Sequence, residues 1–465
     1  MQQFPQRVAA CVQPVLRARR CRPSLKPVGF ALVALAATTG LADAAGYGLR
    51  EQSASAIGNA FAGAAADAED LTYMFSNPAG LTRQSGSQIV GVSTVVVPQL
   101  RFHDAEGSTS GGVPISGNQG GQNVGEAALI PAFYGLWDLQ QAFDLQQNIK
   151  LGLGVNVPYG VETDYRDDWV GRYYAQHSRV MAIDVNPALA WEVVDGVSVA
   201  AGLQVQYIDA RLTNAIDFGT IAGVQPGQHD GRGKVSGDDI GYGYTLGFLW
   251  EPWSGTRFGA GFRSAVHHTL EGDANFETGG AVGNAVANAR GAFRDTGART
   301  NLTTPETVNF GARHQLTPEV AVMANAEWTR WSRFHDLTIK YDNANQPNTV
   351  TQDDWTDTWF LALGATWRPD EAWGLRGGVA WDQDPTSDSR RTPRIPTDNR
   401  WWLSLGTTWK PLENLTLDAG YTHVFFEDAS INLDSSGAGN QYRGNLTGSV
   451  EAAADIFALQ ARWVF

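Results

Sequence analysis

The stretch TWFLALGATWR, residues 358–368, separates cleanly into two sets of side chains. Trp359, Leu361, Leu363, Ala365 and Trp367 take alternate positions, and Gly364, Thr366 and Arg368 lie between them. Side chains alternate across a β-strand, so this segment has one apolar face and one face of small and polar groups. Its two tryptophans stand eight residues apart on the apolar face. Eight strand steps of ~3.4 Å cover about 27 Å. Tilted by about 40°, that is about 20 Å of height, close to the apolar band between the aromatic girdles of a membrane barrel.

The pattern recurs along the chain. Trp401, Leu403, Leu405 and Trp409 oppose Ser404, Gly406, Thr408 and Lys410. Val197, Val199, Ala201, Leu203, Val205 and Tyr207 oppose Ser198, Gly202, Gln204 and Gln206. Val320, Val322, Ala324, Ala326 and Trp328 oppose Asn325, Glu327 and Thr329. In the closing segment DIFALQARWVF, Phe457, Leu459, Ala461, Trp463 and Phe465 share a face. A soluble antiparallel sheet with one wet face also alternates. It does not require tryptophans at both ends of a charge-free stripe, or an aromatic at the last position. The expected fold class is therefore all-β, a transmembrane antiparallel barrel.

Strand candidates begin near Ser87, Ala128, Ile149, Tyr173, Val197, Asp239, Arg257, Leu302, Pro318, Trp355, Trp373, Arg400, Leu415 and Ala453. These are fourteen, an even number, as antiparallel closure with both ends on the periplasmic side requires. EPWSGT, RPDEAW and KPLEN carry turn residues and read as short periplasmic links. Three long Gly/Asn/Asp-rich segments, 104–127, 218–237 and 271–299, read as outer loops.

The chain has 34 Lys+Arg, 48 Asp+Glu and a formal charge of −14. It opens with Arg7, Arg17, Arg19, Arg20, Arg22 and Lys26, then an apolar run from Val28 that ends in Ala42-Asp43-Ala44. A basic region, a short apolar stretch and a small-x-small site mark a secretory signal. Residues 1–44 are expected to be that signal, 45–85 a separate head and 86–465 the barrel. Both cysteines, Cys11 and Cys21, fall in the signal, so disulfides and thiolate metal sites are closed to the rest. After residue 44 there remain 28 basic and 47 acidic residues, a balance that argues against nucleic acid as a partner.

The head, AGYGLREQSASAIGNAFAGAAADAEDLTYMFSNPAGLT, is helix-leaning and rich in small residues. It contains Gly46-Tyr47, GNAFAG from Gly58 to Gly63, and NPAGL from Asn77 through Pro78 and Ala79 to Leu81. Further along come VPYGVETDYRDDWVGRYYA from Val157, NPALAW from Asn186, AEWTRWSRF from Ala326, RIPTDNRWWLSLG from Arg394 and GYTHVFFEDASIN from Gly420. With these motifs the chain resembles the FadL family of outer-membrane long-chain fatty-acid transporters over nearly all of its length after the signal.

The resemblance implies a fourteen-stranded barrel in the outer membrane of a Gram-negative bacterium, plugged by the head, or hatch. It implies passive uptake of a long-chain fatty acid or another hydrophobic small molecule, with outer-membrane lipid and lipopolysaccharide as surroundings and a monomer as the expected state. Gly58, Gly63, Asn77, Pro78 and Ala79 are then hatch residues, and Gly46 and Tyr47 a gate near the ligand. The family's lateral exit through a break in the third strand would fall at Pro158, Tyr159 and Gly160. Pro158 cannot donate to a ladder and Gly160 weakens one. Arg211, in YIDARLTN, is the nearest match to a family carboxylate-binding arginine, and Arg313, Arg330 and Arg376 are other cations that can face the lumen. A second cation expected near WFLALG is missing, and TQDDWTD there is acidic. Family members that carry aromatic hydrocarbons need no carboxylate clamp, so that ligand class stands beside the fatty acid.

Other classes find less support. GSTSG (Gly107 to Gly111) has Thr109 where a Gly-x-Ser-x-Gly nucleophile is needed. His267-His268 has no spaced third ligand and reads as surface histidines. No catalytic residue, metal or cofactor is expected. An open porin would need no forty-residue head.

Overall fold

A computed structural model describes residues 46–465. The expected secretory signal, residues 1–44, lies outside the described residues. No described helix is long and apolar enough to cross a membrane. The chain forms instead a closed antiparallel barrel of fourteen strands.

The strands are β1 (Gln88–Ser108), β2 (Ala128–Asp138), β3 (Ile149–Asp164), β4 (His177–Val194), β5 (Val197–Asp217) and β6 (Asp230–Trp253). Then come β7 (Thr256–Arg263, resuming as Val266–Glu277), β8 (Thr296–Thr304 and Thr307–Gln315) and β9 (Val320–Thr329 and Asp336–Tyr341). The last five are β10 (Thr349–Gln352 and Thr358–Trp367), β11 (Trp373–Asp382), β12 (Arg400–Leu412), β13 (Leu415–Phe426 and Ala429–Leu433) and β14 (Asn445–Val464). Each pairs with its neighbours in sequence, and β1 closes on β14 from Gln88↔Val464 to Ser108↔Asn445.

Alternation works as expected and is inverted relative to a soluble protein. Trp359 is 43% exposed, Leu363 63% and Trp401 53%, whereas Gln204, Gln206 and Asn325 are buried inside. Apolar side chains point out toward lipid and polar ones point into the lumen.

Several strands run farther than the stripes foretell. β6 starts at Asp230, not near Asp239, and β14 at Asn445, not near Ala453. The expected outer loop 271–299 holds the end of β7, a helix Ala281–Arg290 and the start of β8. Beyond the lipid band the outward face turns polar, as at Thr447 and Ser449, while the inward face can stay apolar, as at Leu446 and Val450, so the lipid stripe does not mark the extension.

Residues 46–87 precede β1 and lie inside the barrel, almost wholly buried. The Ala-rich segment makes only one α-helical turn, Ala54–Ile57, followed by 3₁₀ turns at Leu71–Phe75 and Pro78–Arg83. Ala60, Phe61 and Ala68 take left-handed φ values of 53°, 61° and 49°. Packing against the wall overrides helix propensity here. Phe61 sits 6.2 Å from the Phe360 ring and 5.9 Å from Trp402. The core therefore lies between plug and wall.

Candidate functional site

The plug is held to the wall by charge. Arg50 pairs with Glu327 at 2.8 Å and Asp382 at 3.3 Å. Asp67 pairs with Arg313 at 2.8 Å. Glu69 meets Arg376 at 2.8 Å and also Arg368. Of the cations considered from sequence, Arg313 and Arg376 thus face the lumen and bind the plug, while Arg330 lies half-exposed beside Glu306 at 3.0 Å.

Asn77 ties the plug to itself and to the barrel. Its Oδ1 accepts from the Ala79 amide at 3.0 Å, capping the turn that Pro78 begins. Its Nδ2 donates to the carbonyls of Ala65 (2.6 Å) and of Phe248 on β6 (2.9 Å). Gly58 packs directly on the wall, where an added Cβ would come within 2.9 Å of the Gly406 Cα. Gly63 has φ +77°, and its Cβ position abuts Met323.

The first described residues form an extended arm along β3. Gly48 bridges Tyr159, the Gly160 amide donates to the Tyr47 carbonyl at 2.8 Å, and the Leu49 amide donates to the Pro158 carbonyl at 2.8 Å. At this point β3 is irregular. Its register against β4 shifts between Asn156 and Tyr159, and its pairing with β2 stops at Phe133↔Val155. Residues 156–161 are buried on both faces, so β3 bends into the barrel at Pro158. The arm occupies an edge that β2 has left.

Above the arm is an apolar chamber. Val161, Val180, Leu270 and Leu302 line it among other apolar groups. Its floor is a ring cluster: Tyr47 lies 4.9 Å from Trp331, 5.8 Å from Phe334 and 5.9 Å from Trp355. Gly46 is wedged beneath, with its Cβ position 2.7 Å from Trp355. The Tyr47 hydroxyl is buried and has no hydrogen-bond partner among the described residues.

The chamber leads into an outer vestibule lined by Arg290, Tyr341 and Arg443, and the two share Leu212, Val235, Ile339 and Arg394. Arg394 donates to Ser178 Oγ at 2.8 Å, and Arg443 to Thr351 Oγ1 at 3.2 Å. Among the described residues, no carboxylate comes within ion-pair distance of either guanidinium. Burial, and then the charge of Arg443, pushes Arg394 down from its usual range, and burial pushes Arg443 down. Asp353 also faces the chamber, and burial pushes its carboxyl up to about 8.

Arg211 is not at this site. Its neighbours Ala210 and Leu212 line the chamber, so Arg211, on the opposite face of β5, points out of the barrel and is exposed. The strand's own alternation carries that signal, because the outward stripe from Val197 to Tyr207 continues in odd numbers to Arg211. Arg394, in a loop of no regular period, gave no such cue. His268 is also corrected. It is buried in the lumen, bonded to Gln206 at 3.0 Å and Asp239 at 3.2 Å, and only His267 is exposed.

Comparison with known proteins places this architecture. The family model described as outer membrane protein transport protein (OMPP1/FadL/TodX) matches residues 35–465. An outer membrane protein of Neisseria meningitidis serogroup B is 29% identical over 91% of this chain and 95% of its own length. A long-chain fatty acid transport protein of Escherichia coli O6:H1 is 25% identical over 93% of this chain and 95% of its own length. Among solved structures, a Pseudomonas aeruginosa FadL homologue superposes with a TM-score of 0.83 at 23% identity, covering 90% of this chain and 100% of that one. The Pseudomonas putida toluene transporter TodX gives 0.67 at 14% identity, covering 91% and 99%.

Proposed function

The chain belongs to the OMPP1/FadL/TodX family of outer membrane transport proteins, and on that premise we propose that it takes up long-chain fatty acids through the chamber, the N-terminal arm and the gap beside β3. The chain is an outer-membrane β-barrel transporter of hydrophobic compounds. The proposed role is passive movement, with no catalytic step and no metal or cofactor.

One observation carries the choice of an acid. Arg394 stands at the throat of an apolar chamber, with Arg443 in the vestibule beyond and no carboxylate within ion-pair distance of either. Arg394 is half-buried and has no counter-ion, and a charge withdrawn from water without one is costly. A fatty carboxylate would satisfy it with short, charge-assisted hydrogen bonds. The acyl tail would gain about 0.8 kcal/mol per CH₂ in the chamber, and its end would reach the ring cluster at Tyr47. Displacing Tyr47 loosens the arm from Pro158, Tyr159 and Gly160, and the ligand leaves sideways into lipid.

The ring cluster of Tyr47, Phe334 and Trp355 favours a second reading, an aromatic hydrocarbon that needs no cation. Binding of oleate and of toluene to the purified barrel decides between them. Arg394→Ala is expected to weaken oleate binding about tenfold or more and leave toluene unaffected, while Arg211→Ala changes neither. Unchanged oleate binding in Arg394→Ala, with tighter binding of toluene, would replace the acid by the hydrocarbon.

A further inference from the structure

We propose that Gln52 is the latch of the gap between β2 and β3, a side chain standing in for the strand missing there. The proposal rests on the reading that ligand leaves by this gap. Above Phe133↔Val155 β2 no longer pairs with β3, the arm takes up this edge only from Pro158 onward, and the buried Val157 peptide groups between them have no strand partner there. The Gln52 carboxamide meets them. The Val157 amide donates to Gln52 Oε1 at 3.2 Å, and Gln52 Nε2 donates to the Val157 carbonyl at 2.7 Å. A carboxamide offers the same donor and acceptor as a peptide unit, so these bonds replace two rungs of a ladder.

Gln52 also holds the other lip. Its main-chain carbonyl accepts from the Tyr134 hydroxyl of β2 at 2.9 Å, and that hydroxyl accepts from Asn156 Nδ2 of β3 at 2.7 Å. Gln52, Tyr134, Asn156 and Val157 are all buried. The ring of bonds therefore runs plug, β2, β3 and back to the plug. Gln52 lies on the same arm as Tyr47, whose carbonyl accepts from Gly160. A ligand that lifts Tyr47 from the chamber floor peels the arm from β3 and draws the carboxamide off Val157. The gap is shut until the chamber is filled.

The test uses the full barrel reconstituted in vesicles. Gln52→Leu keeps the bulk and removes both bonds. The Val157 amide should then exchange with deuterium about tenfold faster than in the wild type, with β10–β12 amides unchanged. Release of a preloaded fluorescent fatty acid into lipid should rise several-fold, with its chamber affinity kept within about twofold. Tyr134→Phe, which keeps the ring, should shift both readouts the same way by less, and it decides the matter if Gln52→Leu does not fold. Wild-type exchange at Val157 in the variant, or faster exchange with unchanged release, overturns the latch. A wild-type barrel that passes no fatty acid at all overturns the transport reading instead.

Discussion

Arg376 on the barrel wall is paired at 2.8 Å with Glu69 of the plug, and the same guanidinium reaches Asp418 at 3.2 Å. One nearly inaccessible cation thus joins the stopper to β11 and β13. Removing one partner of a buried pair leaves the other charge stranded, at a cost of about 3–5 kcal/mol. Arg376→Ala should loosen the plug before it harms the barrel. The expected result in planar bilayers is raised ion conductance with heat-resistant barrel mobility retained. Wild-type conductance would mean the plug is held elsewhere.

Asn77→Ala removes the bonds to Ala65 and Phe248 and the cap on Ala79. Each is worth about 0.5–1.5 kcal/mol. The barrel should still fold, because its ladders are untouched, and uptake should fall several-fold. Uptake assays in a deletion strain check this, and unchanged uptake would remove Asn77 from the hatch machinery.

Gly48 and Tyr159 face each other as an antiparallel pair flanked by the bonds from Gly160 and Leu49. Such pairs bring Cα atoms to about 4.5–5.5 Å, within the range a disulfide accepts. No cysteine follows Cys21 in the sequence. The double variant Gly48→Cys/Tyr159→Cys should therefore form a single staple. Uptake is expected to be lost when oxidised and recovered with reductant. Full uptake in the oxidised form would show that the arm need not leave β3.

Asp353 predicts a pH dependence. Its carboxyl, raised to about 8 by burial, is neutral at pH 7. The folded state therefore binds this proton more tightly than the unfolded chain does. Its contribution to stability declines as pH rises from about 4 and levels off above about 8. Ligand binding follows the same titration. Above pH 8 the Asp353 carboxylate competes for Arg394 and Arg443, so oleate affinity should fall between pH 7 and 9 while that of a neutral alkanol holds. Asp353→Asn should flatten the profile in isothermal titration, and an unaltered slope would exclude Asp353 as the titrating group.

Much of this molecule was legible in the chain. Period-two stripes such as Trp359 to Trp367 depend only on the pleat of one strand, so they report the barrel, its lipid face and its strand number without any knowledge of neighbours. The same rule, carried four residues past Tyr207, would have turned Arg211 outward. Other features have no local signature. Strand ends such as Asp230 and Asn445 lie where the outer face has left the lipid and carries no apolar stripe, and the alanines after Ile57 bend into left-handed turns because the wall requires it.

What residue order alone determined is which side chains look out and which look in, since alternation is a property of the backbone itself. What only the folded structure decided is which lumenal groups meet. Arg394 comes to the throat of the chamber, Tyr47 to its floor and Gln52 to the open edge of β3 through closure of the whole cylinder, which brings together positions more than a hundred residues apart. Such distances are set by tertiary packing and leave no period in the chain.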